Sequence, residues 1–166
     1  MTPEKFIEEY LPFAKQTEEK TGISAVFTLA QAALESGWGE KAPGNMFFGV
    51  KAKKSTPLEK RQLITTTEYG KTPDLKFPEI LSVEKQPNGK YKYKIRDWFM
   101  KYDTPEECFT HHNQFFFDNP RYKLALDVKD SPNEFADAIA AAGYATDPNY
   151  ASLLKSIIKS LDKRIK

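Results

Sequence analysis

The stretch SAVFTLAQAALESGWGE, residues 24–40, places a carboxylate where helix geometry and burial can tune it. At about 100° per residue, Val26, Phe27, Leu29, Ala30, Ala33 and Leu34 cover most of a helix's circumference. Ser24, Thr28, Gln31 and Glu35 share one narrow polar stripe along it. A helix of this pattern is buried nearly all round, with Glu35 at its C-terminal end. Burial disfavours the charged form of a carboxyl, so Glu35 can hold its proton near neutral pH. A glycosidase acid must do the same before it protonates a leaving oxygen. The plainer reading is a helix-terminal glutamate in a salt bridge or facing water, and helix geometry alone leaves both open. Trp38 follows by three residues, either as an aromatic wall for the carboxyl or sugar groove, or as core packing.

The elements that position this stripe read clearly. Thr2-Pro3 starts a helix whose apolar residues Phe6, Ile7, Tyr10, Leu11, Phe13 and Ala14 recur until Gly22. Ser24 caps the next helix, which runs to about Ser36 and stops at Gly37 and Gly39. From 43 to 101 the helical period disappears. Residues 61–69, RQLITTTEY, predict a strand, and segments 80–86 and 90–99 flank the turn signal Pro87-Asn88-Gly89. Thr104 and Glu107 form a capping box for a helix ended by Asn119-Pro120. A short helix over 121–127, a helix over 132–142 capped by Ser131 and broken by Gly143, and a last helix over 148–162 complete the chain. The class is α+β in one domain, with a helical body (about 1–50 and 102–166) and a small antiparallel β lobe (about 51–101).

The bulk numbers bound the function. With 166 residues, 40% apolar and 29% charged, the chain has the balance of a folded globular domain. No apolar run approaches the roughly 18–20 residues that span a bilayer, and the start MTPEKFIEEYLPFAKQ is charged and unlike a signal peptide. The net charge of +2 conceals an uneven spread, since residues 51–101 hold 13 basic against 6 acidic side chains. A lobe so charged can attract an anionic polymer, or can simply be a solvated lysine-rich hairpin. Cys108 is the only cysteine, so no internal disulfide forms, and it reads as a small buried hydrophobe. His111 and His112 point about 100° apart on a helix and cannot clamp one metal. Neither a metal nor another cofactor is expected.

Four separated motifs then fall in order: AQAALESGWGEKAPGNMFFGVKA, TTTEY, FMKY and GYATDPNYASLL. Together, over about residues 23–158, they resemble the bacterial peptidoglycan glucosaminidase family, whose relatives include flagellar peptidoglycan hydrolases and autolysins. The resemblance implies a lysozyme-like, mainly helical body with the β lobe flanking a cleft. It also implies endo-β-N-acetylglucosaminidase activity on the β-1,4 bond between N-acetylglucosamine and N-acetylmuramic acid. It makes Glu35 the catalytic acid, Glu68 of Thr66-Thr67-Glu68-Tyr69 the second carboxylate and Tyr144 of the GYATDP motif an active-site tyrosine. Asn45 and Phe48 fall where the family shapes its groove floor. The expected partner is the peptidoglycan glycan strand, met by a monomer that is secreted, periplasmic or wall-associated. Two departures stand out. Met100 replaces the arginine of the family's F-R-x-Y, and the segment between Tyr69 and Phe99 is longer than the family pattern, with its hairpin read as an insertion.

Around Glu35, Gln31 and Trp38 are candidate substrate contacts, while Tyr69 and Phe47 weigh somewhat more toward packing than stacking. Glu68 has an ordinary reading too, as a solvated strand residue. Carboxyl groups about 5–5.5 Å apart favour retention through a covalent intermediate, and about 6.5–9.5 Å favours inversion. A substrate N-acetyl group can instead act as internal nucleophile, with Tyr144 orienting it. Two rivals share the same polymer: a lytic transglycosylase, which leaves 1,6-anhydro ends, and a non-catalytic wall-binding module. Nucleic-acid binding is disfavoured because the basic residues match no reading motif.

Overall fold

The computed structural model describes residues 1–166. Five α-helices and a three-stranded antiparallel sheet form two compact units, one comprising Met1–Phe48 with Asp103–Lys166, the other Gly49–Tyr102. The α+β class follows directly from this arrangement.

In the helical unit, α1 (Pro3–Thr21) and α2 (Ala25–Ser36) begin where the sequence places their caps: Thr2 and Ser24 accept backbone N–H groups of Lys5 and Phe27 through their hydroxyls. Helix α2 packs against α1, α3 (Pro105–Asp118), α4 (Pro132–Ala141) and α5 (Tyr150–Ile165). Because neighbours surround it, Phe27, Leu29, Ala30 and Ala32 are wholly buried. Phe27 meets Phe135 at 4.7 Å between ring centres, and Phe135 meets Phe116 at 5.2 Å, so aromatic edges close the core around α2.

Three local expectations are corrected. Residues 121–127 form no α-helix, but two 3-10 turns, Pro120–Tyr122 and Ala125–Val128, in which the N–H groups of Tyr122, Lys123, Asp127 and Lys129 bond to the carbonyls three residues back. Ser131 begins α4 without a side-chain cap. The last helix starts at Tyr150 rather than 148, since Asp147 closes a turn by accepting the Asn149 and Tyr150 N–H groups, and it continues to Ile165.

The β unit has strand order β1-β3-β2, with β1 Arg61–Gly70, β2 Glu79–Lys85 and β3 Tyr91–Met100. Alternation along the central strand buries Tyr93, Ile95 and Phe99 on one face. The Tyr93 hydroxyl ties down the β1–β2 connection, donating to the Thr72 carbonyl and accepting from the Leu75 N–H. In the Pro87-Asn88-Gly89 turn the Gln86 N–H donates to the Lys90 carbonyl, the Gly89 N–H donates to the Gln86 carbonyl and the Lys90 N–H donates to Asn88 Oδ1, with Gly89 in the left-handed region.

Candidate active site

In α2 each stripe residue has a distinct partner. Ser24 caps the helix. Thr28 accepts from Asn113 Nδ2 at 2.9 Å, and Gln31 Nε2 donates to the Tyr150 hydroxyl at 3.0 Å, all in the buried interior. Glu35 is where the stripe emerges. Its side chain as a whole is exposed, unlike the buried setting its helix suggests, yet burial at the carboxyl end raises its pKa above the ordinary 4.5. Loss of water without a neighbouring cation is the only cause of that rise. The helix ends immediately beyond it, where Gly37 and Trp38 both take left-handed backbone angles. The Trp38 indole packs edge-on against Phe6 of α1 at 5.5 Å.

Tyr144 is delivered by the end of α4. The N–H of Tyr144 reaches the Ile139 carbonyl and that of Gly143 reaches Ala140, a Schellman closure that needs the left-handed angle of Gly143 (φ 89°). Its ring lies among Phe115, Phe116, Tyr122 and Tyr150, at 5.5–6.2 Å between centres. Its hydroxyl lies 3.3 Å from His112 Nε2 and within reach of the Gln31 amide. Burial, then the neighbouring Tyr150, pushes the Tyr144 phenol well above the usual range. Burial likewise takes Tyr150 up to about 12, with the nearby charge of Glu35 acting in the same direction on both tyrosines. Both phenols are thus neutral hydrogen-bonding groups at any working pH.

The structure brings Glu35, Gln31 and Tyr144 together and adds two residues that sequence reasoning missed, Tyr150 and His112. Tyr150 lies within the GYATDPNY motif, six residues past Tyr144, so the motif itself held that signal. The His112 ring packs edge-on against Phe48 at 3.9 Å between centres, and burial with His111 alongside pushes its pKa down to about 3. The ring is neutral, and only a buried position on the α3 face would have flagged it. Phe48 is half-buried and Phe47 fully buried between Tyr10 and Phe109. Asn45 sits in a tight 3-10 turn with φ 58°.

In the β unit, Glu68 projects from β1 on the face shared with Tyr93, while Tyr69 points the other way and is 61% exposed. Lys51 Nζ lies 3.3 Å from Glu68 Oε1 and 3.2 Å from Asp97 Oδ2. Burial works to lower the Lys51 pKa, but hydrogen bonds to Asp97 and Glu68 outweigh it and raise it. Across the ladder from Met100 stands Arg61. Cys108 is buried and its thiol pushed up to about 12, which leaves it unreactive. No group of three or more His, Cys, Asp or Glu side chains converges to hold a metal.

The chain is similar to several known proteins. The glucosaminidase family profile, described as mannosyl-glycoprotein endo-beta-N-acetylglucosaminidase, matches residues 11–163. The chain is 36% identical to the peptidoglycan hydrolase FlgJ of Salmonella typhimurium over 89% of its own length and 43% of that protein. It is 33% identical to the exo-glucosaminidase LytG of Bacillus subtilis, over 95% of its length and 51% of LytG. A solved glycoside hydrolase domain, from the Salmonella FlgJ truncated at its C-terminus, superposes with a TM-score of 0.74 at 33% identity, covering 98% of this chain and 99% of that one. The chain spans about half or less of the length of the curated relatives it matches.

Proposed function

Since the chain belongs to the glucosaminidase family of glycoside hydrolases, we propose that it is a peptidoglycan hydrolase. The bond cut is the β-1,4 link between N-acetylglucosamine and N-acetylmuramic acid, within the strand. The observation that carries this reading is Glu35: a carboxyl whose pKa is raised by burial alone, at the open end of an otherwise buried polar stripe, beside two neutral tyrosines. A protonated Glu35 hands its hydrogen to the bridging oxygen as the glycosidic bond breaks. Tyr144, a neutral phenol held by His112 and Gln31, orients the substrate's N-acetyl group, and Phe48 and Asn45 shape the surrounding groove; Gln31, expected to touch substrate, is fully buried and supports the two tyrosines from within instead. Glu68, located by Lys51, positions the water that completes hydrolysis, and Trp38 offers its ring to a flanking sugar, whereas Tyr69 lies on the opposite face of β1. The enzyme works as a monomer outside the cytoplasm, on the wall. No helix is long and apolar enough to cross a membrane.

The test is digestion of purified peptidoglycan with mass spectrometry of the new chain ends. Reducing N-acetylglucosamine ends on long fragments are the expected product. Release from strand termini alone would make the enzyme an exo-glucosaminidase. Reducing N-acetylmuramic acid ends would move the cut to the other bond, and 1,6-anhydro ends would make it a lytic transglycosylase. Sedimentation with the wall without any new ends would leave only a binding module.

A further inference from the structure

A second site lies wholly within the β unit. A cleft of about 700 Å³ is lined by Lys54, Arg61 and Lys76, with Trp98 and Phe77 as its apolar wall. Its carboxylate, Asp97, is already committed: Oδ1 accepts the Trp98 N–H at 2.7 Å and Oδ2 lies 3.2 Å from Lys51 Nζ. The cleft therefore keeps an unbalanced positive charge.

Arg61 gives that charge a direction. Its guanidinium carbon stands 4.3 Å from the centre of the Trp98 ring. Stacking uses one face of the guanidinium and leaves its in-plane N–H edges available to acceptors. One of those donors, Nε–H, is buried with no hydrogen-bond partner. That donor is closed off by the protein itself, so only the Nη end of the guanidinium can serve a ligand in the cleft. A planar carboxylate fits a guanidinium edge through two parallel hydrogen bonds.

We propose that this cleft binds the terminal carboxylate of a peptidoglycan peptide stem, paired with the two Nη groups of Arg61. Lys54 and Lys76 add attraction, and Trp98 and Phe77 cover the aliphatic part of the stem. The choice of a stem over other wall anions rests on the hydrolase reading, because the stem is covalently attached to the glycan that reading assigns. The cleft makes the enzyme a reader of stem-bearing strands, separate from the bond it breaks.

The probe is a synthetic stem tetrapeptide with a free C-terminal alanine carboxylate, titrated calorimetrically into the full chain. Saturable binding is expected, weakened about tenfold or more by Arg61→Gln and nearly as much by Arg61→Lys, which keeps the charge and loses the fork. Amidating the peptide's C-terminus has the same effect on the wild type, so the test holds even if a variant misfolds. In hydrolysis, Arg61→Gln raises KM for stem-bearing peptidoglycan and leaves stem-free glycan unaffected. The proposal is overturned if the peptide does not bind, or if the amidated peptide and both variants bind as the unmodified pair does. A glycerol-phosphate oligomer that binds through Arg61 where the peptide does not also overturns it. A wild type that binds the peptide but opens no glycan sinks the hydrolase reading alone.

Discussion

Glu35 carries a thermodynamic signature that can be read without substrate. Its pKa in the folded chain lies above the ordinary 4.5 because of burial. The folded state therefore binds the proton more tightly than the unfolded chain. The favourable protonated form is fully present below about pH 4.5, and its advantage is lost as pH rises through the folded pKa. Replacing Glu35 by Gln, which cannot ionise, should raise the melting temperature at pH 7 and leave it unchanged near pH 3; equal shifts at both would remove burial as the cause. Tyr144 offers a second test at this scale. Tyr144→Phe keeps the ring among its aromatic neighbours and deletes the hydroxyl next to His112. Hydrolysis should fall about tenfold or more with little change in melting temperature. The stripe was legible in the sequence because one helical period fixes which residues share a face. The partners of that stripe were not, since Asn113 and Tyr150 come from helices far along the chain.

Two helix ends determine what the site presents. Helix α2 stops just past Glu35, at a left-handed Gly37, and α4 stops just before Tyr144, at a left-handed Gly143. Gly143→Ala meets no closer side-chain atom than Arg121 Nη1, 3.6 Å from the added carbon, so its cost is conformational. We expect a loss of about 1 kcal/mol, or about 2–4 °C in melting temperature, together with reduced activity as Tyr144 shifts. Wild-type activity in a folded Gly143→Ala variant would show that the closure does not position the tyrosine. Glycine and proline punctuation made most element ends visible in advance. The misreadings lay at 121–127 and 148–150, where local turns compete with a continuing helix and hydrophobic period cannot decide between them.

For the whole molecule, the division of charge is as informative as the fold. Residues 51–101 hold 13 basic and 6 acidic side chains, while the helical unit is mildly acidic. Attraction between a basic unit and an anionic wall is screened at a Debye length of about 10 Å in 0.1 M salt and about 3 Å in 1 M. Sedimentation with purified walls should thus fall severalfold over that range while the unfolding midpoint moves little. Binding that ignores salt would assign wall affinity to the sugar groove instead. The α+β class was legible from the change in hydrophobic period at residue 43. The Arg61 cleft was not, because it joins four sequence-distant segments that each look like ordinary loop or strand. The most direct measurement compares wild type and Glu35→Gln on labelled peptidoglycan at matched folded concentration. The account predicts that solubilisation falls by about a hundredfold or more in the variant. Near wild-type release by Glu35→Gln would contradict it.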